Sequence, residues 1–216
     1  MNFAVIFDMD GVIFDSERQI ANIWQEIAKE KKIPNIEEAV FRSIGITDAA
    51  TKQVFRDLYG ENFPYEEYKK SVSARFHERF DNGKLPTKPG IRELTEYLSE
   101  NKIRTAVASS TRTAVVEAEI RDAGLIAYFD KIIGGDRVTH SKPNPEIFLT
   151  AAEALGVKPE NCYVIEDSYN GIRAAHAAGM HPLMVPDMLK PDAEISALCE
   201  KIFPSLIEVR DFFRSI

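Results

Sequence analysis

The feature that most constrains the fold is a series of short apolar segments, each followed by a helical pattern. The first segment, residues 3–7, is continuously apolar, as expected for a strand that is buried on both faces of a parallel sheet. Further segments of this kind are found at 105–108, 131–133, 163–165 and 182–185. Because strands that alternate with helices form a parallel sheet covered by helices, the pattern predicts a doubly wound, Rossmann-like α/β core. Ligands are expected beyond the carboxyl ends of its strands.

One region interrupts this alternation, because only helical patterns are present from about Asp15 to about Lys84. Its first helix has an apolar face and begins at Ser16, which together with Gln19 matches a capping box. Further helices are predicted over 36–43, 47–59 and 65–80.

A block of helices inserted after the first strand of a parallel-sheet domain predicts a cap. The predicted core comprises residues 1–14 and 84–216, and the predicted α-helical cap comprises residues 15–83. The two linkers between them are expected near 13–16 and 82–89, where glycines and prolines are frequent.

The composition narrows the possible partners. The 216 residues are 44% hydrophobic and 28% charged, which is typical of a soluble globular protein with a core large enough to need no disulfides. A formal net charge of −7 argues against nucleic acid and anionic membranes as partners. The chain starts in an apolar strand without a basic leader, and no apolar run approaches the ~18 residues of a membrane span. We therefore expect a cytoplasmic protein, either a monomer or a simple homo-oligomer.

Candidate catalytic residues come directly after the first strand. Asp8 ends the strand, Asp10 follows two positions later, and Gly11 allows a tight turn that brings both carboxylates to one point. Two carboxylates at that distance repel each other unless a divalent cation or a shared proton neutralises them. A structural acidic turn is the alternative for this motif taken by itself.

Hydroxyl groups and a lysine follow later strands. Ser109, Ser110 and Thr111 come after the segment that ends near Ala108, and hydroxyls with free amides at the start of a helix form an anion site. Lys142 precedes another helix in a proline-rich, stiff segment. The alternatives are a simple helix cap for the hydroxyls and a solvated surface position for the lysine.

Adjacent acids, Glu166 and Asp167, follow the segment 163–165 and are suitable magnesium ligands, although Asp167 or Ser168 could instead cap the next helix. Four polar clusters thus lie where four predicted strands end, at the edge where this fold would bring them together. Together they contain a nucleophile, an acid/base, an anion site, a cation and metal ligands, which is the inventory of a phosphoryl-transfer site.

These same residues resemble the four motifs of the haloacid dehalogenase superfamily of phosphotransferases. In chain order the matching positions are the stretch from Asp8 to Val12, then Ser109, then Lys142, then Glu166 with Asp167. The match spans nearly the whole predicted core in the right order. The inserted helices resemble the cap of the β-phosphoglucomutase-like branch, which also contains many small-molecule phosphatases.

The resemblance implies a mechanism for the first motif. Asp8 would attack phosphorus and form an aspartyl-phosphate, and Asp10 would protonate the leaving oxygen and later accept a proton from water. Mg²⁺ would be held by Asp8, the backbone carbonyl of Asp10 and Asp167, with Glu166 nearby.

The resemblance also assigns the phosphate-binding groups. Ser109, the amide of Ser110 and Lys142 would hold the oxygens of the transferred phosphoryl group. The implied partner is a small phosphorylated metabolite, such as a sugar phosphate.

The predicted cap departs from the mutases of this branch. They have a histidine after the first motif and a Lys-Gly-x-Ser-Arg type of loop, where this chain has Ile20 and the segment 43–48. An acid at Asp48 would repel a second phosphate. The sequence therefore favours a phosphatase over a sugar phosphomutase, and retention of every motif residue argues against a catalytically idle binding protein. Substrate specificity is expected to depend on cap residues, with these candidates: Glu17, Ile44, Thr47 and Arg75.

Overall fold

The computed structural model describes residues 3–46 and 48–216, and its core is a parallel six-stranded sheet. The strands are Ala4–Phe7 (β1), Arg104–Ser109 (β2), Lys131–Gly134 (β3), Cys162–Glu166 (β4), His181–Met184 (β5) and Lys201–Ile202 (β6). Their order across the sheet is β3-β2-β1-β4-β5-β6, and each neighbouring pair is parallel. This confirms the predicted α/β fold class.

Helices cover both faces of the sheet. Four further helices follow the first strand and form a separate group. They are Ser16–Lys31 (α1), Ile36–Arg42 (α2), Asp48–Tyr59 (α3) and Tyr65–Phe80 (α4). The remaining ones are Ile91–Glu100 (α5), Thr113–Asp122 (α6), Glu146–Leu155 (α7), Tyr169–Ala177 (α8), Ala193–Leu198 (α9) and Leu206–Arg214 (α10). The side chains of β1 alternate between the two faces. Val5 and Phe7 pack with α5, α6 and α10, whereas Ala4 and Ile6 pack with α7 and α8.

Helices α1–α4, which we call the helical block, surround a hydrophobic cluster of their own. Trp24 lies at its centre, with ring centroids 4.8 Å from Phe55 and 6.3 Å from Tyr65. Arrangements of this kind stabilise a core beyond the area that the rings bury. The helical block therefore has an apolar interior that is separate from the hydrophobic clusters on the two faces of the sheet.

The chain leaves the sheet and returns to it through two adjacent segments. The amide of Asp15 donates to the carbonyl of Pro86 at 2.9 Å, and the amide of Lys88 donates to the carbonyl of Ile13 at 2.8 Å. The buried carboxylate of Asp187 bridges both segments, because it pairs at 2.8 Å with Arg18 and at 2.8 Å with Lys88.

Two details differ from the sequence-based expectations. The capping box is wrong: Asp15 occupies the position before α1, while the Ser16 hydroxyl turns away from the helix end and donates to Asp10. Strand β6 was not anticipated, because two exposed residues at a sheet edge produce no apolar run. Among the helices of the described residues, none is both long and apolar enough to cross a bilayer.

Candidate active site

Asp8 and Asp10 lie at the carboxyl end of β1, the central strand nearest to the change in strand order. The amide of Asp8 donates to the carbonyl of Ile165 on β4 at 3.0 Å, which extends the pairing of the strands by one residue. Gly11 then turns the chain with a φ of 76°. A Cβ atom at Gly11 would lie 2.1 Å from a carboxylate oxygen of Asp167, so both the turn and the close approach require glycine.

Lys142 joins three of the predicted clusters. Its Nζ donates to Asp8 Oδ1 at 2.5 Å, to Glu166 Oε1 at 2.7 Å and to the carbonyl of Ala108 at 3.3 Å. The side chain is 8% exposed, so the alternative of a solvated surface lysine does not hold. A buried ammonium group with three oxygen partners is a fixed positive charge at the floor of the site.

Glu166 is the most completely bonded acid of the site. Besides the bond from Lys142, its Oε2 accepts hydrogen bonds from the amide of Asp167 at 3.0 Å and from the amide and hydroxyl of Ser168, each at 2.9 Å. A Cβ atom at Gly171 would lie 1.7 Å from Glu166 Oε1, so this glycine makes room for the carboxylate. Ser168 also caps α8 by accepting from the amide of Gly171, which resolves the capping alternative in favour of Ser168.

The pKa values of the acids in the site are raised because these acids are buried close together. Desolvation raises the pKa of Asp8 to about 8 against the opposing charge of Lys142, and desolvation also raises the pKa of Asp10 and of Asp167. Burial alone would lower the pKa of Lys142, but the charges of Asp8 and Glu166 outweigh it and raise that pKa. One ammonium group faces several buried carboxylates, and its single positive charge does not compensate for the negative charge of all of them when they are ionised.

A divalent cation would fit this arrangement. Asp8, Glu166 and Asp167 each offer a carboxylate oxygen, and these atoms all lie within 4.8 Å of one another. Oxygen ligands of this kind suit hard cations such as Mg²⁺. Asp10 is held differently, because its Oδ1 accepts a hydrogen bond from the Ser16 hydroxyl at 2.5 Å.

The predicted phosphate-binding residues lie beside the acids. Ser109 is fully buried at the end of β2, where its hydroxyl oxygen accepts from the amide of Thr111 at 3.1 Å. Helix α6 begins later than expected, at Thr113, whose amide donates to Asp136 at 2.7 Å. The hydroxyls of Ser109 to Thr111 are therefore not the cap of that helix.

A pocket of about 580 Å³ lies between the sheet and the helical block, and most of the site residues line it. The core contributes Asp8, Asp10, Ser110, Thr111, Ser141, Lys142, Asp167, Ser168 and Asn170. The helical block and its connecting loop contribute Glu17, Ile20, Ser43, Gly45, Ile46 and Asp48. We call this space the catalytic pocket.

The four specificity candidates lie in different places. Glu17 lines the catalytic pocket, and burial followed by the charge of Asp10 raises the pKa of Glu17 to about 8. Ile44 lines an adjoining space within the helical block. Arg75 is not brought to either space, since its guanidinium donates twice to Glu30, at 2.8 and 2.5 Å. Thr47 lies outside the described residues.

Sequence reasoning missed two contacts that shape the pocket. Ser16 had been assigned to the helix cap, and its contact with Asp10 depends on the turn formed by residues 11–14. Asn170 donates to the carbonyl of Gly45 at 2.7 Å, which joins the core to the loop after α2. Neither contact follows a sequence spacing, because each joins segments that only the fold brings together.

Comparisons with known proteins show the family of the chain. The family model described as haloacid dehalogenase-like hydrolase matches residues 5–185. A phosphorylated carbohydrates phosphatase from Thermotoga maritima is 34% identical over 177 residues, which cover 82% of this chain and 82% of the relative.

Two solved structures extend the comparison. One is a HAD family hydrolase from Deinococcus radiodurans with bound phosphate and sodium, with a TM-score of 0.82 and 27% identity over 99% of this chain and 96% of that one. The other is a β-phosphoglucomutase from Clostridium difficile, with a TM-score of 0.76 over 100% and 96% of the two chains. At 24% identity the second likeness concerns the fold alone.

Proposed function

The chain belongs to the haloacid dehalogenase-like hydrolases and shares the fold of their β-phosphoglucomutase-like branch, and on that premise we propose that it is a Mg²⁺-dependent phosphatase. Its substrate is a small phosphorylated metabolite, such as a sugar phosphate. The observation that carries the proposal is the position of Lys142 Nζ, which contacts Asp8 at 2.5 Å and Glu166 at 2.7 Å at the floor of the catalytic pocket. One buried cation thereby joins the nucleophile to the acidic cluster.

The reaction begins with Asp8. One carboxylate oxygen of Asp8 attacks phosphorus, a bond forms between them, and the bond from phosphorus to the alcohol oxygen breaks. Asp10 gives its proton to that alcohol oxygen, which suits its raised pKa. Asp10 then accepts a proton from the water that attacks the aspartyl-phosphate, so free phosphate is released and Asp8 is regenerated.

The other residues hold the phosphoryl group and the metal. Lys142, the Ser109 hydroxyl and the Ser110 amide bind the transferred oxygens. Asp8, Asp167 and the carbonyl of Asp10 would hold Mg²⁺, which would supply neutralisation of negative charge when bound. Glu166 positions Lys142 and the segment that carries Asp167.

A phosphate-release assay tests this function. Purified protein should release inorganic phosphate from members of a panel of sugar and other small phosphomonoesters with Mg²⁺, and EDTA should stop the release. The rival function is a sugar phosphomutase. It would be established by interconversion of sugar phosphates, primed by a bisphosphate, without free phosphate. A panel that gives neither result would contradict both functions.

We also propose that residues 15–83 act as a cap that opens and closes over a core formed by 1–14 and 84–216. The pivots lie near 13–16 and 82–89. The paired backbones of these two segments support this proposal, since they place both ends of the helical block at one point of the core.

A further inference from the structure

A second pocket lies inside the helical block, next to the catalytic pocket. Its volume is about 340 Å³, and residues of α1 to α4 and of the loop after α2 form its walls. Glu17, Ile20 and Ser43 line both pockets, so the two spaces share a boundary. An alcohol whose phosphate is held beside Asp8 would have to cross this shared boundary to enter the second pocket, which we call the block pocket.

The walls of the block pocket are mainly apolar and aromatic. They include Trp24, Phe55, Tyr65 and Phe76, together with Ile20 and Ile44. Interiors of proteins pack with few voids larger than a water molecule, whereas ligand sites of about 300–1,000 Å³ with apolar, aromatic walls are common. An apolar cavity of about 150 Å³ already holds a benzene ring. The size and the lining therefore suit a ring and the atoms that link it to the rest of a substrate.

The charges around the block pocket exclude a second phosphate. Among its lining residues that the structure describes, Lys69 is the one cation, and its Nζ lies 2.5 Å from Asp48 Oδ1. Asp48 also accepts from the Tyr65 hydroxyl at 3.0 Å. At the shared boundary, Glu17 Oε2 is buried and has no hydrogen-bond partner among the described residues. A second phosphate would face Lys69, which is already paired with Asp48, and the acid Glu17. An apolar group can bind without disturbing either Lys69 or Glu17.

We propose that the block pocket receives an apolar ring carried by the alcohol part of the substrate. Among small phosphorylated metabolites, the preferred substrates are then phosphate monoesters whose alcohol carries such a ring, and a sugar phosphate without an apolar ring would be hydrolysed with a lower kcat/KM. This inference rests on the proposed phosphatase function, because the phosphate of the same molecule must lie at Asp8. It names the substrate class that the catalytic pocket alone leaves open.

The test compares 3-phenylpropyl phosphate with propyl phosphate in the presence of Mg²⁺. Both esters release a primary alkanol, so the bond-breaking step is matched and only the ring differs. Burying a phenyl ring should raise kcat/KM on the order of tenfold or more for the phenyl ester, mainly through KM. Equal kcat/KM values with phosphate released from both esters would overturn the block pocket as a ring site and leave the phosphatase function in place.

A binding measurement distinguishes ring binding in the block pocket from the phosphatase function. Trp24 is the single tryptophan of the chain and lines the block pocket, so its fluorescence reports on that space. With Asp8→Asn protein, which holds ester without turnover, 3-phenylpropyl phosphate should change this fluorescence and propyl phosphate should not. If the fluorescence responds to the ring while wild-type protein releases phosphate from no ester, the block pocket binds a ring, but the phosphatase function fails and the substrate class inferred from it fails as well.

Two neighbouring positions of α4 provide matched variants. Ser73 and Ala74 are both exposed, but Ser73 lines the block pocket and Ala74 does not. Ser73→Phe should occupy the space and remove most of the tenfold advantage of the phenyl ester, and Ala74→Phe should keep it. The same advantage in both variants would overturn the inference, whatever their thermal stabilities.

Discussion

At the floor of the catalytic pocket two side chains of the core, Lys142 and Glu166, are each held by several hydrogen bonds, whereas the helical block presents apolar side chains such as Ile20 and Ile44. Lys142 has three oxygen partners and Glu166 has four donors. On the helical block, Ile20 and Ile44 are half-buried, and the charged residues pair at the surface, as Arg79 does with Glu26. This comparison predicts that the core supplies the reacting groups, whereas the helical block, apart from Ser16 at its contact with Asp10, can change its lining with little effect on the reaction.

The energetic difference behind this comparison is large. Leaving a buried polar group without a hydrogen-bond partner costs about 1–3 kcal/mol. Several buried polar groups of the core site are bonded to Lys142, so removing one of them leaves its partners unsatisfied. Exposed ion pairs of the helical block, such as the one between Arg79 and Glu26, are screened by solvent and contribute little to stability. Substitutions in the core site should therefore affect catalysis strongly, and those in the helical block should affect mainly substrate choice.

The largest effect is expected at Asp8. Asp8→Asn removes the attacking carboxylate, and phosphate release should fall by on the order of 10⁴-fold or more. The variant should still bind phosphate esters, which titration can measure. Asp57→Asn on the helical block provides the matched control, because Asp57 is exposed and bonded to Gln53 on its own helix. Substantial hydrolysis by Asp8→Asn would show that the core does not supply the nucleophile.

Restricting the helical block tests whether the two regions must separate. Gly45→Cys with Asn170→Cys places thiols on the two sides of the 2.7 Å contact between the loop after α2 and the core. A short thiol crosslinker should reduce turnover on the order of 10²-fold, because substrate enters and product leaves only when the block moves away. The double variant with its two thiols capped separately by a monofunctional reagent serves as the control, because both positions line the catalytic pocket. Full turnover in the crosslinked protein would contradict a gating role.

Ser16 tests a contact that crosses from the helical block to the catalytic acid. Its hydrogen bond to Asp10 lowers the pKa of that carboxyl against the stronger effect of burial. Ser16→Ala should therefore raise the pKa of Asp10 further, lower kcat about tenfold, and move the alkaline limb of the pH–rate profile to higher pH. Ser16→Thr should restore the profile. A lower kcat with an unmoved limb would mean that Ser16 acts only in packing.

The smallest expected effect is on thermal stability, and it tests whether the buried acids of the core behave differently from the exposed charges of the helical block. The pKa of Asp8 rises from 3.8 to about 8 on folding, so the folded protein retains a proton that the unfolded chain loses. Without metal, stability should fall as pH rises between those two values. Mg²⁺ favours the ionised carboxylates, so its stabilisation should be larger near pH 8 than near pH 5, by roughly 5–10 °C in Tm at saturation.

Thermal melts at both pH values, with and without Mg²⁺, measure this difference. Asp167→Asn should reduce the gain because it removes one carboxylate of the cluster. A gain in Tm that is independent of pH would contradict metal binding at these buried acids.

The sequence alone is sufficient to predict the α/β core, because strands that are buried on both faces must be apolar along their whole length. It also predicts that Asp8, Ser109, Lys142 and Asp167 follow the ends of strands. Parallel strands bring such ends to one edge of the sheet, so their proximity follows from the fold class. Among the strands of the described residues, β6 was missed, since an edge strand of two exposed residues carries no apolar signal.

Only the tertiary structure decides how these groups are partnered. The roles of Ser16 and Asn170 depend on where the helical block rests on the core, and Arg75 is directed to Glu30 by the packing of α4 against α1. The pocket inside the helical block arises from the angles between four helices, which no spacing of residues specifies. Local patterns determine elements and their order because they act within a few residues, whereas the shape of a cavity depends on contacts between residues that are distant in the chain.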